Sequence, residues 1–148
     1  TPASKMPGLD GQKMSKSYAN TISLREDPHQ VAEKLRTMPT DPARVRRTDP
    51  GDPEKCPVWK LHQVYSDDEI RSWVQEGCKS AGIGCLDCKG PIIDAIQAEL
   101  APIHERAQEY EKDLGLVRKI IHEGNDRARD MARQTLAEVR QAMGLEYR

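Results

Sequence analysis

Lys13 and Lys16 stand three residues apart in the run Lys13-Met14-Ser15-Lys16-Ser17. That spacing lets two ammonium groups meet one anion, with the hydroxyls of Ser15 and Ser17 as further donors. Gly8-Leu9-Asp10-Gly11-Gln12 precedes it, so the segment reads as a flexible loop suited to polyphosphate. An arbitrary K-x-x-K segment is usually a solvated tail, but the five-residue string is far more specific. The second constellation is Cys56, Cys78, Cys85 and Cys88, with 21, 6 and 2 residues between successive members. Three readings compete for it: a disulfide pair, unlinked buried thiols, or four thiolates on one metal centre. In a chain of cytoplasmic type a disulfide is disfavoured, and Cys85-x-x-Cys88 lets two thiolates chelate a common ion. Glycines 77, 82, 84 and 90 allow the loop to fold back around it. Structural zinc sites usually come as two close pairs, whereas four-iron four-sulfur clusters accept uneven spacing, and Cys56-Pro57 fits the latter. On the residues alone both metals stay open.

The basic residues Arg44, Arg46, Arg47, Lys55, Lys60, Lys79 and Lys89 flank the cysteines. They are either a solvated surface or a face for phosphates and unstacked bases, with Lys79 and Lys89 the candidates nearest the loop. Trp59 and Trp73 could stack on bases, but their helical spacing among apolar neighbours reads as core. His29, His62, His104 and His122 have no nucleophile or metal-like partner and read as structural.

The elements that must position these groups are helical. Asp27-Pro28 is an N-cap followed by a first-turn proline, opening a helix through Val31, Leu35 and Met38 that Pro39 ends. Five prolines between 39 and 57 predict a long irregular connection. Val58, Leu61, His62 and Tyr65 recur at helical spacing; Ser66 with Glu69 forms a capping box for the next helix, through Trp73 and Val74 to Gly77. From Pro91 an apolar stripe runs to Leu114 with Pro102 as a kink, and another runs from Ala128 to Met143 with Gly144 as the C′ glycine, Leu116–Ile121 connecting them. The fold class expected is all-α: a helical bundle over residues 25–148, preceded by residues 1–24, of which the first 20 read as a mobile loop and Thr21-Ile22-Ser23-Leu24 as a short extended piece.

Composition sets the frame for such a bundle. Leu, Ile, Val and Phe make 26 of the 148 residues, a share that taken alone points to disorder, while 23 basic against 24 acidic residues remove the self-repulsion that disorder needs. A folded but thinly cored chain follows, of the kind that needs a metal, ligand or partner domain for support. Residues 1–50 carry a net +3 and residues 51–148 a net −4, so polyanion contact belongs to the front. No apolar run is long enough to span a membrane, and Thr1-Pro2-Ala3-Ser4 has neither an initiator Met nor a signal pattern, so a cytoplasmic chain cut from a longer one is expected.

Residues 7–20, Pro-Gly-Leu-Asp-Gly-Gln-Lys-Met-Ser-Lys-Ser-Tyr-Ala-Asn, resemble the KMSKS signature of class I aminoacyl-tRNA synthetases, and their surroundings resemble the tryptophanyl-tRNA synthetase family. Arg47-Thr48-Asp49-Pro50, Cys56-Pro57-Val58, Ala81-Gly82-Ile83-Gly84-Cys85, Pro102-Ile103-His104-Glu105-Arg106 and Arg127-Ala128-Arg129 with Glu138-Val139-Arg140 extend the likeness over the whole chain. The resemblance implies that Lys13, Met14, Ser15, Lys16 and Ser17 close over ATP and its Mg²⁺. Lys13 and Lys16, with Lys16 the stronger, would stabilise charge growing on the phosphates as the tryptophan carboxylate attacks. It implies a helical domain binding the anticodon of tryptophan tRNA, and a full-length homodimer whose contacts lie largely in the catalytic domain, leaving this chain a monomer. It also implies that Cys56, Cys78, Cys85 and Cys88 ligate a 4Fe-4S cluster, as in a four-cysteine subset of the family, with Zn²⁺ as the alternative. The family's dinucleotide-type α/β domain and its His-x-Gly-His motif are absent here. This chain alone is therefore expected to form no tryptophanyl-adenylate, with residues 1–20 disordered for want of a docking surface. The rival readings are a stand-alone zinc-binding nucleic-acid or scaffold module, and a helical interaction protein without metal.

Overall fold

The computed structural model describes residues 5–145, and the chain divides into two compact units, one ending at His104 and the next beginning at Glu105. Among the described residues there are five α-helices: α1 Pro28–Thr37, α2 Pro57–Tyr65, α3 Asp68–Lys79, α4 Cys85–Lys112 and α5 Leu114–Ala142. Among the described residues there is no strand, only an antiparallel bridge between Pro7 and Lys13, and no helix long and apolar enough to cross a membrane.

Local chemistry sets most helix ends. Asp27 accepts hydrogen bonds from the backbone N–H groups of His29 and Gln30, Pro28 takes the first turn, and α1 ends at Thr37, with Met38 capping it before Pro39. Three boundaries differ from those expected. Ser66 does not cap α3: Asp67 does, accepting from the Ile70 N–H at 2.8 Å, because the Ser66 hydroxyl is turned inward to His62 Nδ1, also at 2.8 Å. The helix then runs past Gly77 to Lys79. There Gly77 admits close contact: a Cβ on it would meet Ile83 Cγ2 at 2.7 Å. Helix α4 starts six residues ahead of Pro91: Asp87 Oδ2 reaches back to accept from the Gly84 N–H (3.1 Å), and the Gly84 carbonyl accepts the first helical bond, from the Cys88 N–H (2.9 Å).

In the first unit, Val31, Leu35 and Met38 of the α1 segment, Val58 and Leu61 of α2, and Ile92, Ile93, Ile96 and Leu100 of α4 form the main core. Trp59, Val74 and Ile83 form a smaller one, and both Cys56 and Cys88 pack against the two. The cysteines thus sit at the seam that joins α3 to the rest of this unit. In the second unit α5 is one continuous helix, the connecting segment and the last stripe being fused through Gly124. Its end at Gly144 (φ +65°) matches the expected C′ glycine. It buries no residue; Met131, Leu136, Val139 and Met143 are all exposed.

Candidate functional site

Two places carry chemistry. In the lysine loop, Ser15 caps a short 3-10 turn, Lys16–Tyr18, by accepting from the Ser17 N–H, and Ala19 closes the turn at φ +52°. Lys13, Lys16 and Ser17 are exposed. The residue that shapes the loop is Asn20, 3% exposed, and it was not singled out in the sequence. Its Oδ1 accepts from the Ser15 N–H (2.7 Å) and its Nδ2 donates to Asp10 Oδ1 (2.7 Å) and the Lys13 carbonyl (3.2 Å), while its own carbonyl takes the Leu9 N–H (2.9 Å). Gly8 packs directly on it, with no room for a Cβ. Residues 5–20 therefore have a definite fold where disorder was expected; residues 1–4 lie outside the described residues. The physical reason is local: one amide side chain satisfies the Lys13 and Ser15 backbone and ties them to the Asp10 carboxylate. Asn20→Ala removes three side-chain hydrogen bonds, each contributing about 0.5–1.5 kcal/mol. Amide exchange at residues 9–15 is expected to accelerate at least tenfold with helix melting unchanged; unchanged exchange would refute the plug.

The second place is the thiol pocket. Cys56 is the N-cap of α2, Cys78 lies in the last turn of α3, and Cys85 and Cys88 form the first turn of α4. All four line one pocket together with Thr40, Asp41, Arg44 and Val58. No disulfide links them. Burial first, then the neighbouring thiols Cys56, Cys78 and Cys85, push the Cys88 thiol up to about 12, and burial likewise raises Cys78. A thiol held as far from ionisation as Cys88 is a poor nucleophile. Among the described residues, no group of three or more His, Cys, Asp or Glu side chains is set to hold a single metal ion.

The pocket wall is built from buried polar groups. His62, fully buried, places Nε2 3.3 Å from Cys88 Sγ and is kept neutral at pH 7 because burial pulls its pKa down to about 4. Arg44 sends Nη2 to the carbonyls of Ile83 (2.5 Å) and Arg47 (3.1 Å) and sets Nη1 3.9 Å from Cys78 Sγ; its Nε is buried with no hydrogen-bond partner. Gly51 donates its N–H to the Cys78 carbonyl, and a Cβ on it would meet Cys78 Sγ at 2.7 Å. Asp41 accepts from the N–H groups of Asp52 (2.8 Å) and Ala43 (3.0 Å), which hold its carboxyl below the ordinary range. A depressed carboxylate stabilises the fold fully above its unfolded pKa near 3.8 and loses that contribution as pH falls through the lower folded value. Asp41→Asn should accordingly flatten the stability-versus-pH curve below about pH 4 in acid titration; a mutant as acid-sensitive as the parent would refute it.

Several expected site residues stand elsewhere. Lys89 cannot meet phosphate: it is 4% exposed and donates Nζ to the carbonyls of Arg36 (2.7 Å) and Met38 (2.5 Å), closing the end of α1. Lys79 is exposed. Trp59 is core, with Nε1 on Glu54 Oε1, whereas Trp73 is 42% exposed. Arg46, Arg47, the exposed Val45 and Leu86 line, with Arg44, an open groove beside Cys85.

The family described as tRNA synthetases class I (W and Y) matches residues 1–101. The tryptophan–tRNA ligase of Ralstonia nicotianae is 66% identical over 147 residues, covering 99% of this chain and 37% of that protein. That of Thermotoga maritima is 48% identical over 144 residues, covering 97% and 44%. Among solved structures, the tryptophanyl-tRNA synthetase of Campylobacter jejuni complexed with ADP and tryptophan superposes with a TM-score of 0.80 at 25% identity, over 96% of this chain and 44% of that one. The chain thus spans about two-fifths of the length of these relatives.

Proposed function

The chain belongs to the class I tRNA synthetases of the tryptophan and tyrosine type, and we propose that it is the C-terminal part of a tryptophan–tRNA ligase. The observation that carries this reading is 66% identity to such a ligase across 99% of the chain. A stand-alone zinc module has no comparable support.

In this reading the loop of Lys13, Met14, Ser15, Lys16 and Ser17 closes over ATP and Mg²⁺ when the catalytic domain of the longer enzyme presents them with tryptophan. Lys13 and Lys16 need not be nucleophiles or bases. Their ammonium groups balance charge that grows on the phosphates as the α-phosphate is attacked and pyrophosphate departs. The Asn20 plug holds the backbone of Lys13 and Ser15, which supports a loop whose charges arrive already oriented. The helical part binds the anticodon of tryptophan tRNA, and the groove that Arg46 and Arg47 line, with the exposed apolar Leu86 beside it, suits a phosphate together with an unstacked base. The longer enzyme works as a homodimer; this chain alone is a monomer. An anticodon stem-loop of tryptophan tRNA should bind the chain in preference to unrelated stem-loops, measured by fluorescence anisotropy, and equal binding would count against the reading.

The four thiols complete it by holding a 4Fe-4S cluster. Four sulfurs around one zinc stand about 3.8 Å apart, as tetrahedral geometry at a 2.3 Å bond length requires. Here the four thiols line one pocket, and four cysteine sulfurs are the donor set that a 4Fe-4S cluster takes. The unpartnered Arg44 Nε in the same wall adds a donor awaiting an acceptor. Bound, the cluster would supply thiolate bonds that pin α2, α3 and α4 together, and a core able to take up an electron. Anaerobic purification with iron and sulfide analysis tests it: four of each per chain is expected, and a colourless protein with one zinc would refute it.

A further inference from the structure

His62 is the most deeply buried polar side chain at the seam, and both of its ring nitrogens are engaged, Nδ1 with Ser66 Oγ at 2.8 Å and Nε2 with Cys88 Sγ at 3.3 Å. Chemistry fixes the direction of these bonds once Cys88 is a ligand. A thiolate only accepts, so Nε2 must carry the proton and donate it to sulfur. Neutral imidazole then has a lone pair at Nδ1, and the Ser66 hydroxyl donates to it. Ser66 is free to do so because Asp67 has taken over the cap of α3. Across the pocket, Arg44 Nη1 approaches Cys78 Sγ at 3.9 Å, anchored by the Ile83 and Arg47 carbonyls. Two of the four sulfurs therefore have an N–H or guanidinium group directed at them from side chains that cannot swing away.

Resting on the cluster reading above, we propose that the Ser66–His62 relay is a positioning device that donates a hydrogen bond to the Cys88 thiolate and, with Arg44, sets the cluster's reduction potential. Hydrogen bonds to ligand sulfur draw electron density from the metal and stabilise the more electron-rich state, so they raise the potential. A merely structural histidine would fill its hole equally well as an apolar residue of similar size.

The test uses the whole chain reconstituted anaerobically with iron(II) and sulfide, then titrated reductively with optical and paramagnetic detection. His62→Leu removes the donor and should disfavour reduction about tenfold in equilibrium constant, a fall of about 59 mV for a one-electron couple. His62→Gln, which can return an N–H near the Nε2 position, should recover most of that shift. Equal potentials for His62→Leu and the parent, at equal iron and sulfide content, would overturn the relay while leaving the cluster standing. Absence of iron and sulfide from the parent would instead sink the cluster reading, and the relay with it. A parent cluster that dithionite cannot reduce would also overturn the relay. Should His62→Leu fail to take up iron, Ser66→Ala decides: a lowered potential supports the relay and an unchanged one overturns it.

Discussion

Replacing Lys16 by alanine in the full-length enzyme is expected to lower tryptophan-dependent ATP–pyrophosphate exchange by roughly 10²–10³, with little change in KM for tryptophan. The size follows from the cost of removing one preorganised charge partner from a developing anion. The split between kcat and KM follows from timing: the phosphates gain charge at the site of bond breaking only on the way to the transition state, so the ammonium group is worth more there than in the ground state. Lys16 opens the 3-10 turn that Ser15 caps, so its backbone position is fixed while its side chain remains exposed and free to reach a ligand. Lys13 lies earlier in the loop, paired across the bridge with Pro7 and with its carbonyl held by Asn20, and Lys13→Ala should cost less. Steady-state exchange at saturating ATP checks both. A fall of less than threefold for Lys16→Ala would show that the loop does not meet the reacting phosphates.

The lysine string and the four cysteines were legible in the sequence because their signal lies in residue type and spacing. The ends of α1 and the terminal Gly144 were legible because caps and prolines act within a turn or two. What the sequence concealed depends on distant partners. Ser66-x-x-Glu69 is a sound capping box, yet the hydroxyl is worth more against a buried imidazole that only the packing of α2 on α4 creates, and the neighbouring Asp67 takes the cap without penalty. Lys89 reads as a surface charge, but the carbonyls at the end of α1 lie 51 and 53 residues away in sequence, and no local pattern announces them. Asn20 closes a loop through contacts with Asp10, Lys13 and Ser15, where its own neighbours suggest only a polar linker. The fusion of the last helical segments through Gly124 shows the opposite case: flanking helix-formers offset one glycine, which costs about 1 kcal/mol.

Stripping iron and sulfide from the reconstituted chain is expected to open α3 and the turn after it while α1, α2 and the front of α4 stay closed. The packing decides this. The main core unites ten buried residues from three elements, including four of the α4 residues, and Cys56 and Cys88 pack against it without belonging to it. Helix α3 instead contributes a single buried side chain, Val74, to a cluster of three with Trp59 and Ile83, and Trp73 on the same helix faces solvent. Cys78 is the covalent route by which α3 would be tied, through the cluster, to Cys56 of the α2 cap and to Cys85 and Cys88 of α4. Without that tie burial holds the Cys88 thiol far from ionisation and pushes Cys78 the same way. Hydrogen exchange read by mass spectrometry should then show protection in residues 70–79 falling at least a hundredfold between the loaded and stripped forms, with residues 31–37 and 92–100 changed less than threefold. Gly51→Ala is the matching perturbation that leaves all four ligands in place. Its methyl group would crowd Cys78 Sγ, so iron should be lost more readily and α3 should open at lower denaturant even before stripping. Equal protection of α3 in the two forms would mean that the thiol pocket does not hold this helix.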